Sequence, residues 1–363
     1  MKLLYIVPKL NNEGGVARVL SLKLNYLVEK FGFEVHVLTQ NQGNFPLFYF
    51  FNEMIVFHDM MLEGTIFNFF NSFRNSLKSK IESIHPDVII VCDNGLKAYA
   101  SPFILSVEIP IILECHGSKY IEERYLKANL ISRFKSSLKY KFKDFGANKF
   151  SKLVTLSNVA LGEWNVKNGL VISNPCWIQN DIGADLKSKK AIVIARNSYE
   201  KGLDRLLIIW KKVIEKHPDW ILDIYGDSVK DLKSQVLELE MEFNVILNEP
   251  VQNISEKYLA SSVFIMTSRS EGFPMVLLEA MASGLPCIAY DCPTGPRAII
   301  QEGENGFLID DGDADLFVQK LTLLIEDENL RIKMGKKAKE SVKKYDLESI
   351  MQQWKSLFES LVK

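Results

Sequence analysis

Two glutamates stand eight positions apart in SEGFPMVLLEAMASG: Glu271 and Glu279. Glu271 shares a turn with Gly272 and Pro274. Glu279 sits among Leu277, Leu278, Ala280 and Met281, where a carboxylate without a partner would cost stability. The run SVFIMTS before them reads as a strand. The run after them reads as a helix, with Pro274 suited to its first position and Gly284 to its C′ stop. Such a helix opens with free backbone N–H groups, which favour anions and phosphate above all. A carboxylate cannot meet phosphate, but it can accept from hydroxyls. One carboxylate on each side of a diphosphate-binding terminus suits a sugar nucleotide, one for the sugar and one for the ribose. The alternative makes Glu271 a solvated loop residue and pairs Glu279 with a buried arginine.

Other residues bear on the choice. ARNSYEKG follows another strand run and places Arg196 and Lys201 five apart. Two cations there would neutralise a diphosphate without a metal; otherwise they are surface charges. In NEGGV, Gly14 and Gly15 would let the backbone approach a ligand, or simply make a strand-to-helix turn. The pattern is not GxGxxG, and no acidic residue marks a dinucleotide ribose at the end of FEVHVLTQ, which counts against NAD. His116 follows the strand run PIILE directly, so it either contacts substrate or is structural. DGDAD (311–315) could suggest a metal, but its place before LFVQKLTLLI reads as a loop and helix N-cap. No HExxH, P-loop or serine nucleophile elbow is present.

The elements that must position these residues alternate. Strand runs KLLYIVPKL, FEVHVLT, PDVIIVCD, PIILECHG and KLVTLS are separated by amphipathic stretches, such as the face Val16, Val19, Leu20, Leu24, Leu27 and Val28. The pattern restarts with KKAIVIAR and runs through WILDIYGD, FNVILNEP, SVFIMTS, LPCIAY and NGFLIDD. This predicts an α/β protein with two parallel sheets covered by helices, joined by a polar linker near 172–190. The last helix, LESIMQQWKSLFESLVK, would cross back onto the first unit. Ligands of open α/β sheets sit at strand carboxyl ends, and the chemistry-bearing residues lie there.

Taken together, these motifs resemble the family 4 glycosyltransferases of the GT-B fold. The resemblance spans nearly the whole chain and is strongest from about 190 to 310. It rests on E-x7-E at Glu271 and Glu279, with ARNSYEKG, IYGD, DCPTGP, NGFLI, VTLS and ISNP in the family's order. It implies two Rossmann-like domains facing each other across a cleft. Residues 1–173 would be the acceptor side, 174–345 the nucleotide-sugar side, and 346–363 the returning helix.

By that resemblance Arg196 and Lys201 hold the donor diphosphate, Glu279 the ribose and Glu271 the donor sugar. The backbone of Gly272, Phe273, Met275, Val276 and Leu277 lies near sugar and phosphate, and Gly226 belongs to the donor site. Gly14 and Gly15 approach from the first domain, and His116 lies beside the sugar. Glu271, His116, Arg196 and Lys201 are the implied catalytic set. The chain departs from the family's pattern at Asn248, Glu249 and Pro250 and at Ala298.

The implied reaction is retaining transfer from a nucleotide sugar, metal-independent and without a cofactor, in surface polysaccharide or glycolipid synthesis. DCPTGP resembles UDP-hexose and UDP-N-acetylhexosamine enzymes. A GDP-mannose donor, a nucleotide-sugar 2-epimerase and a non-catalytic nucleotide-sugar-binding subunit are the alternatives.

The chain has 363 residues, 47% hydrophobic and 25% charged, with net charge −1. This is ordinary for a soluble globular protein and gives no field for nucleic acid. Five cysteines without a CxxC pair argue for a reducing compartment. The opening MKLLYIVPKL is too short for a membrane span, so a cytoplasmic protein is expected. Between Arg124 and Lys152, however, nine basic residues face one acidic residue, with Leu126, Leu130, Phe134, Leu138 and Phe142 at helical spacing. That is either a helix for an anionic membrane surface, fitting a lipid-linked saccharide acceptor, or a core helix with solvated lysines.

Overall fold

The computed structural model describes residues 1–12, 14–62, 66–105, 108–120, 130–178, 182–251 and 253–362, without the side chains of 66–70 and 130–132. The apolar runs named above all form strands, and every pairing is parallel. Met1–Pro175 with Leu347–Lys363 forms one unit, and Cys176–Asp346 the other.

The first unit runs β1 (Lys2–Ile6), α1 (Gly15–Phe31), β2 (Glu34–Gln40), β3 (Val56–Met60), α2 (Ile66–Ile84), β4 (Val88–Val91), α3 (Leu96–Leu105), β5 (Ile111–Cys115), α4 (Leu130–Ala147), β6 (Lys152–Thr155), α5 (Asn158–Leu161) and β7 (Gly169–Val171). Its sheet order is β3-β2-β1-β4-β5-β6-β7. Strand side chains alternate between faces, and two cores result. Leu3 and Tyr5 of β1 pack with α1, and Leu4 and Ile6 pack with α2 and α3. The sequence pattern missed β3 and β7. Both are edge strands, and neither is a buried apolar run.

The second unit runs β8 (Lys190–Ile194), α6 (Leu203–Ile214), β9 (Ile221–Tyr225), α7 (Lys233–Glu238), β10 (Val245–Asn248), α8 (Ile254–Leu259), β11 (Val263–Met266), α9 (Met275–Ala282), β12 (Cys287–Asp291), β13 (Gly306–Asp310), α10 (Ala314–Glu326) and α11 (Glu328–Ser341). Its sheet order is β10-β9-β8-β11-β12-β13. The helix α12 (Leu347–Leu361) follows but joins the first unit, where Ile350, Met351, Trp354, Leu357 and Phe358 enter the core shared with α1. Among the described residues no helix is long and apolar enough to cross a membrane.

Two expectations about α1 need correction. Val16, in the first turn, is exposed. The buried face also contains Lys23, a residue the apolar pattern passes over.

Candidate active site

In the second sheet the chain steps outward from β8 to β10, then returns to place β11 on the other side of β8. The loops after β8 and β11 therefore leave the sheet at its topological switch point, where open α/β sheets bind ligands. The β8 loop carries Arg196 and Lys201, and the β11 loop carries Glu271.

Gly202 brings these loops together. Its φ is +65°, and a Cβ there would lie 2.2 Å from the Thr267 carbonyl oxygen. The Thr267 hydroxyl donates to the Gly202 carbonyl at 3.0 Å. Across this contact Lys201 Nζ donates to Glu271 Oε1 at 2.8 Å, and Ser268 Oγ donates to the same oxygen at 2.6 Å. Thr294 Oγ1 donates to the Glu271 carbonyl at 2.8 Å, and a Cβ on Gly295 would lie 2.7 Å from Glu271 Cβ. Glu271 is thus a buried, oriented carboxylate and not a solvated loop residue. Among the described residues its Oε2 accepts from no protein donor, so it can take a ligand hydroxyl.

Arg196 is exposed, with Nε 3.4 Å from Ser198 Oγ. Its guanidinium can reach a ligand, and the Lys201 ammonium keeps donors beyond the one given to Glu271. Gly226 acts through packing: a Cβ would lie 2.0 Å from the Ala195 carbonyl oxygen, so only glycine lets the ends of β8 and β9 close below Arg196.

Helix α9 begins at Met275, with Pro274 as its N-cap instead of its first residue. The expected stop holds: Gly284 has φ +82° just after the C-cap Ser283. The predicted backbone contacts need trimming at Leu277, whose N–H donates to the Pro274 carbonyl at 3.1 Å and whose side chain is buried. Phe273 packs edge-on against Tyr345 with ring centroids 5.6 Å apart, and Met275 is buried, while Val276 is half-buried. Any contact from Phe273 is therefore through its backbone.

Glu279 answers the question of its burial with neutral partners. Trp177 Nε1 donates to Oε1 at 2.6 Å and Tyr258 OH to Oε2 at 3.0 Å. Burial and the Glu279 charge together push the Tyr258 phenol well above its ordinary range, so it stays a donor. These contacts orient the Glu279 carboxylate.

Gly14, Gly15 and His116 belong to the first unit. Gly14 caps α1, its N–H accepted by Asn12 Oδ1 at 2.9 Å, and a Cβ on Gly15 would meet open space. Glu13 lies outside the described residues. His116 follows β5, with Nε2 3.3 Å from Glu114 Oε1 but not aligned for a hydrogen bond. Glu114 also accepts from Lys23 Nζ and, at 3.3 Å, from the Cys92 thiol. Cys92, Glu114 and His116 are close enough to share a metal ion. The Lys23 ammonium on Glu114 and the buried, protonated Cys92 thiol make that set a poor cation site. In DGDAD, Asp313 Oδ1 caps α10 by accepting from Leu316 N at 2.9 Å. Asp311 pairs with Arg205 at 2.7 Å and Asp315 with Lys212 at 2.8 Å.

Residues 178–341, almost all of the second unit, match the family described as glycosyl transferases group 1. The chain is 27% identical to an uncharacterized glycosyltransferase of Haemophilus influenzae, covering 98% of this chain and 99% of that one. It is 28% identical to the amylovoran biosynthesis glycosyltransferase AmsD of Erwinia amylovora, again covering 98% and 99%. A crystal structure of an S. aureus TarM mutant in complex with fondaparinux, alpha-GlcNAc-glycerol and UDP superposes with a TM-score of 0.79 at 16% identity, covering 98% of this chain and 99% of that one. The second unit is that of a group 1 glycosyl transferase, and the fold is GT-B.

Several residues that shape this glycosyltransferase's site escaped the sequence reading. Ser268 and Thr294 hold Glu271, and Trp177 and Tyr258 hold Glu279. Thr294 stands at φ +71°, an unusual conformation for a residue with a branched side chain. Its signal was the DCPTGP motif, whose glycine and prolines announced a turn but not the turn's contact with Glu271.

Proposed function

We propose that this glycosyltransferase moves a hexose or N-acetylhexosamine from a UDP-sugar to a saccharide or lipid-linked acceptor, with retention of anomeric configuration, in surface polysaccharide or glycolipid synthesis. The observation that carries the reading is the Lys201–Glu271–Ser268 arrangement at the switch point, with one Glu271 oxygen left for a sugar hydroxyl. Lys201 and Arg196 would meet the negative charge that grows on the departing diphosphate. That diphosphate would take the acceptor proton itself, so the reaction needs neither a metal nor a protein nucleophile. Glu279, oriented by Trp177 and Tyr258, would take the ribose hydroxyls. The amylovoran role of AmsD and the UDP in the TarM complex support the acceptor class and the donor base.

The test is a thermal-shift screen of UDP- and GDP-sugars, followed by transfer assays with and without EDTA. At a hundred times Kd a ligand stabilises by about 2.7 kcal/mol, which raises Tm by roughly 5–10 °C for a unit of this size. UDP-sugars should give the shift, and EDTA should leave transfer intact. Glu279→Ala should weaken donor binding about tenfold to a hundredfold, the worth of a charged hydrogen bond, while Glu271→Ala should chiefly lower turnover. A shift with GDP-mannose alone, or UDP-sugar affinity unchanged in Glu279→Ala, would sink the assignment. The anomeric coupling in the product's proton spectrum decides retention.

A further inference from the structure

Helix α4 is turned the opposite way from an ordinary core helix. Phe134, Leu138, Phe142 and Phe145 are all exposed, Phe134 by 66%. At about 100° per residue they fall within an arc of about 80°. The opposite face holds Tyr140, Lys143 and Ala147, all buried. Lys143 Nζ donates to the Lys119 carbonyl at 3.3 Å and lies over the rings of Tyr99 and Tyr140. Burial brings its ammonium down to about 8. The core-helix alternative, with its aromatics inside and its lysines solvated, is overturned for the described part of the segment. Arg124, Leu126 and Lys127 lie outside the described residues.

The stripe has a charged border. Lys141 lies to one side of its centre and Lys135 to the other, each about 60° away at about 100° per residue and both exposed. Asp144, the one acidic residue between Arg124 and Lys152, is taken by Lys119 Nζ at 2.7 Å. From α3, Phe103 stacks on Phe145 with centroids 5.4 Å apart, and it is exposed as well. The surface is therefore apolar at its centre and positive at its edges. A second exposed apolar set, Phe45 to Met61, has no lysine or arginine between residues 43 and 62. Nothing about that set selects an occupant.

We infer that the outer face of α4 docks the protein on an anionic bilayer, with the aromatic stripe in the headgroup–acyl boundary and the basic border against lipid phosphates. The inference goes beyond the donor chemistry and does not depend on it. A protein partner would not require a border of one sign on both flanks, whereas an anionic lipid surface does.

Flotation of the full-length protein with phosphatidylcholine vesicles, alone or mixed with phosphatidylglycerol, tests it. Binding should appear only with the anionic vesicles and fall as salt shortens the Debye length. Lys135→Glu/Lys141→Glu should lower partitioning at least fivefold per charge, the equivalent of about 1 kcal/mol each. Phe134→Ser/Leu138→Ser should lower it too, with little change in Tm, because both side chains are more than half exposed. Hydrogen exchange on the wild type gives an independent reading: α4 should gain protection when anionic vesicles are added. No binding to either vesicle overturns the inference. So does binding indifferent to the stripe variants, or a stripe that instead drives self-association in sedimentation.

Discussion

Lys23 and Glu114 are each only 1% exposed, and neither is affordable alone. Burial by itself would raise the Glu114 carboxyl, but Lys23 and then His116 reverse this and bring it down to about 2. The folded value lies below the ordinary 4.5, so the contribution to stability is complete above that value and is lost as pH falls toward 2. Lys23→Met should remove about 3–5 kcal/mol at neutral pH by stranding a buried carboxylate. The loss should shrink as pH falls, because burial now raises the Glu114 carboxyl and its protonation relieves the stranded charge. Lys23→Met/Glu114→Gln should recover much of the neutral-pH loss. Urea titrations at neutral and acid pH measure all of this. Equal stability for the single and double variants would show that the pair has no mutual dependence.

At the scale of elements, the site depends on how closely two loops approach. Gly202 both adopts a left-handed φ and presses its Cα against the Thr267 carbonyl. Gly202→Ala meets strain and a clash at once, so a loss well above the ~1 kcal/mol of a simple Gly→Ala misfit is expected. The β8 and β11 loops must then part, and Lys201 should leave Glu271. Urea unfolding together with the nucleotide-sugar thermal shift would report both. A variant that binds donor normally would refute the coupling. The cations and Glu271 were legible in the sequence because they stand in loops after apolar strand runs, and Glu279 because it interrupts an apolar one; Gly202 was not singled out. What was not legible was which oxygen faces which donor. Trp177 and Glu279 lie 102 positions apart, and Thr294 reaches Glu271 over 23. Local patterning carries no information at that range. The edge strands β3 and β7 escaped for a related reason: one unpaired side removes the burial that writes an apolar run. The outward stripe of α4 was visible as a period but not as a direction, since periodicity is the same whichever face meets the core.

At the scale of the molecule, the chain leaves its first unit, builds the second, and comes back. Helix α12 returns Trp354 to lie over the Lys23 ammonium, 3.7 Å from ring centroid to Nζ, while Ile350, Met351, Leu357 and Phe358 close the core around it. The last helix thus shields the Lys23–Glu114 pair from solvent at the strand that leads into His116. Ending the chain after Asp346 should strip these five side chains from the first core and leave the second unit's own core unchanged. At roughly 2–5 kcal/mol for each large buried side chain lost, the first unit should not remain folded. Native-state hydrogen exchange on the truncated chain should show free exchange in β1, β4 and β5 and near-normal protection in β8, β11 and β12. Nucleotide sugar should still shift the remaining transition, because Arg196, Lys201, Glu271 and Glu279 all belong to the second unit. If Gly14, Gly15 and His116 serve the reaction as proposed from the resemblance, transfer should be abolished, since they lie in the unit that unfolds. Uniform loss of protection across both sheets would show that the second unit cannot stand without the first.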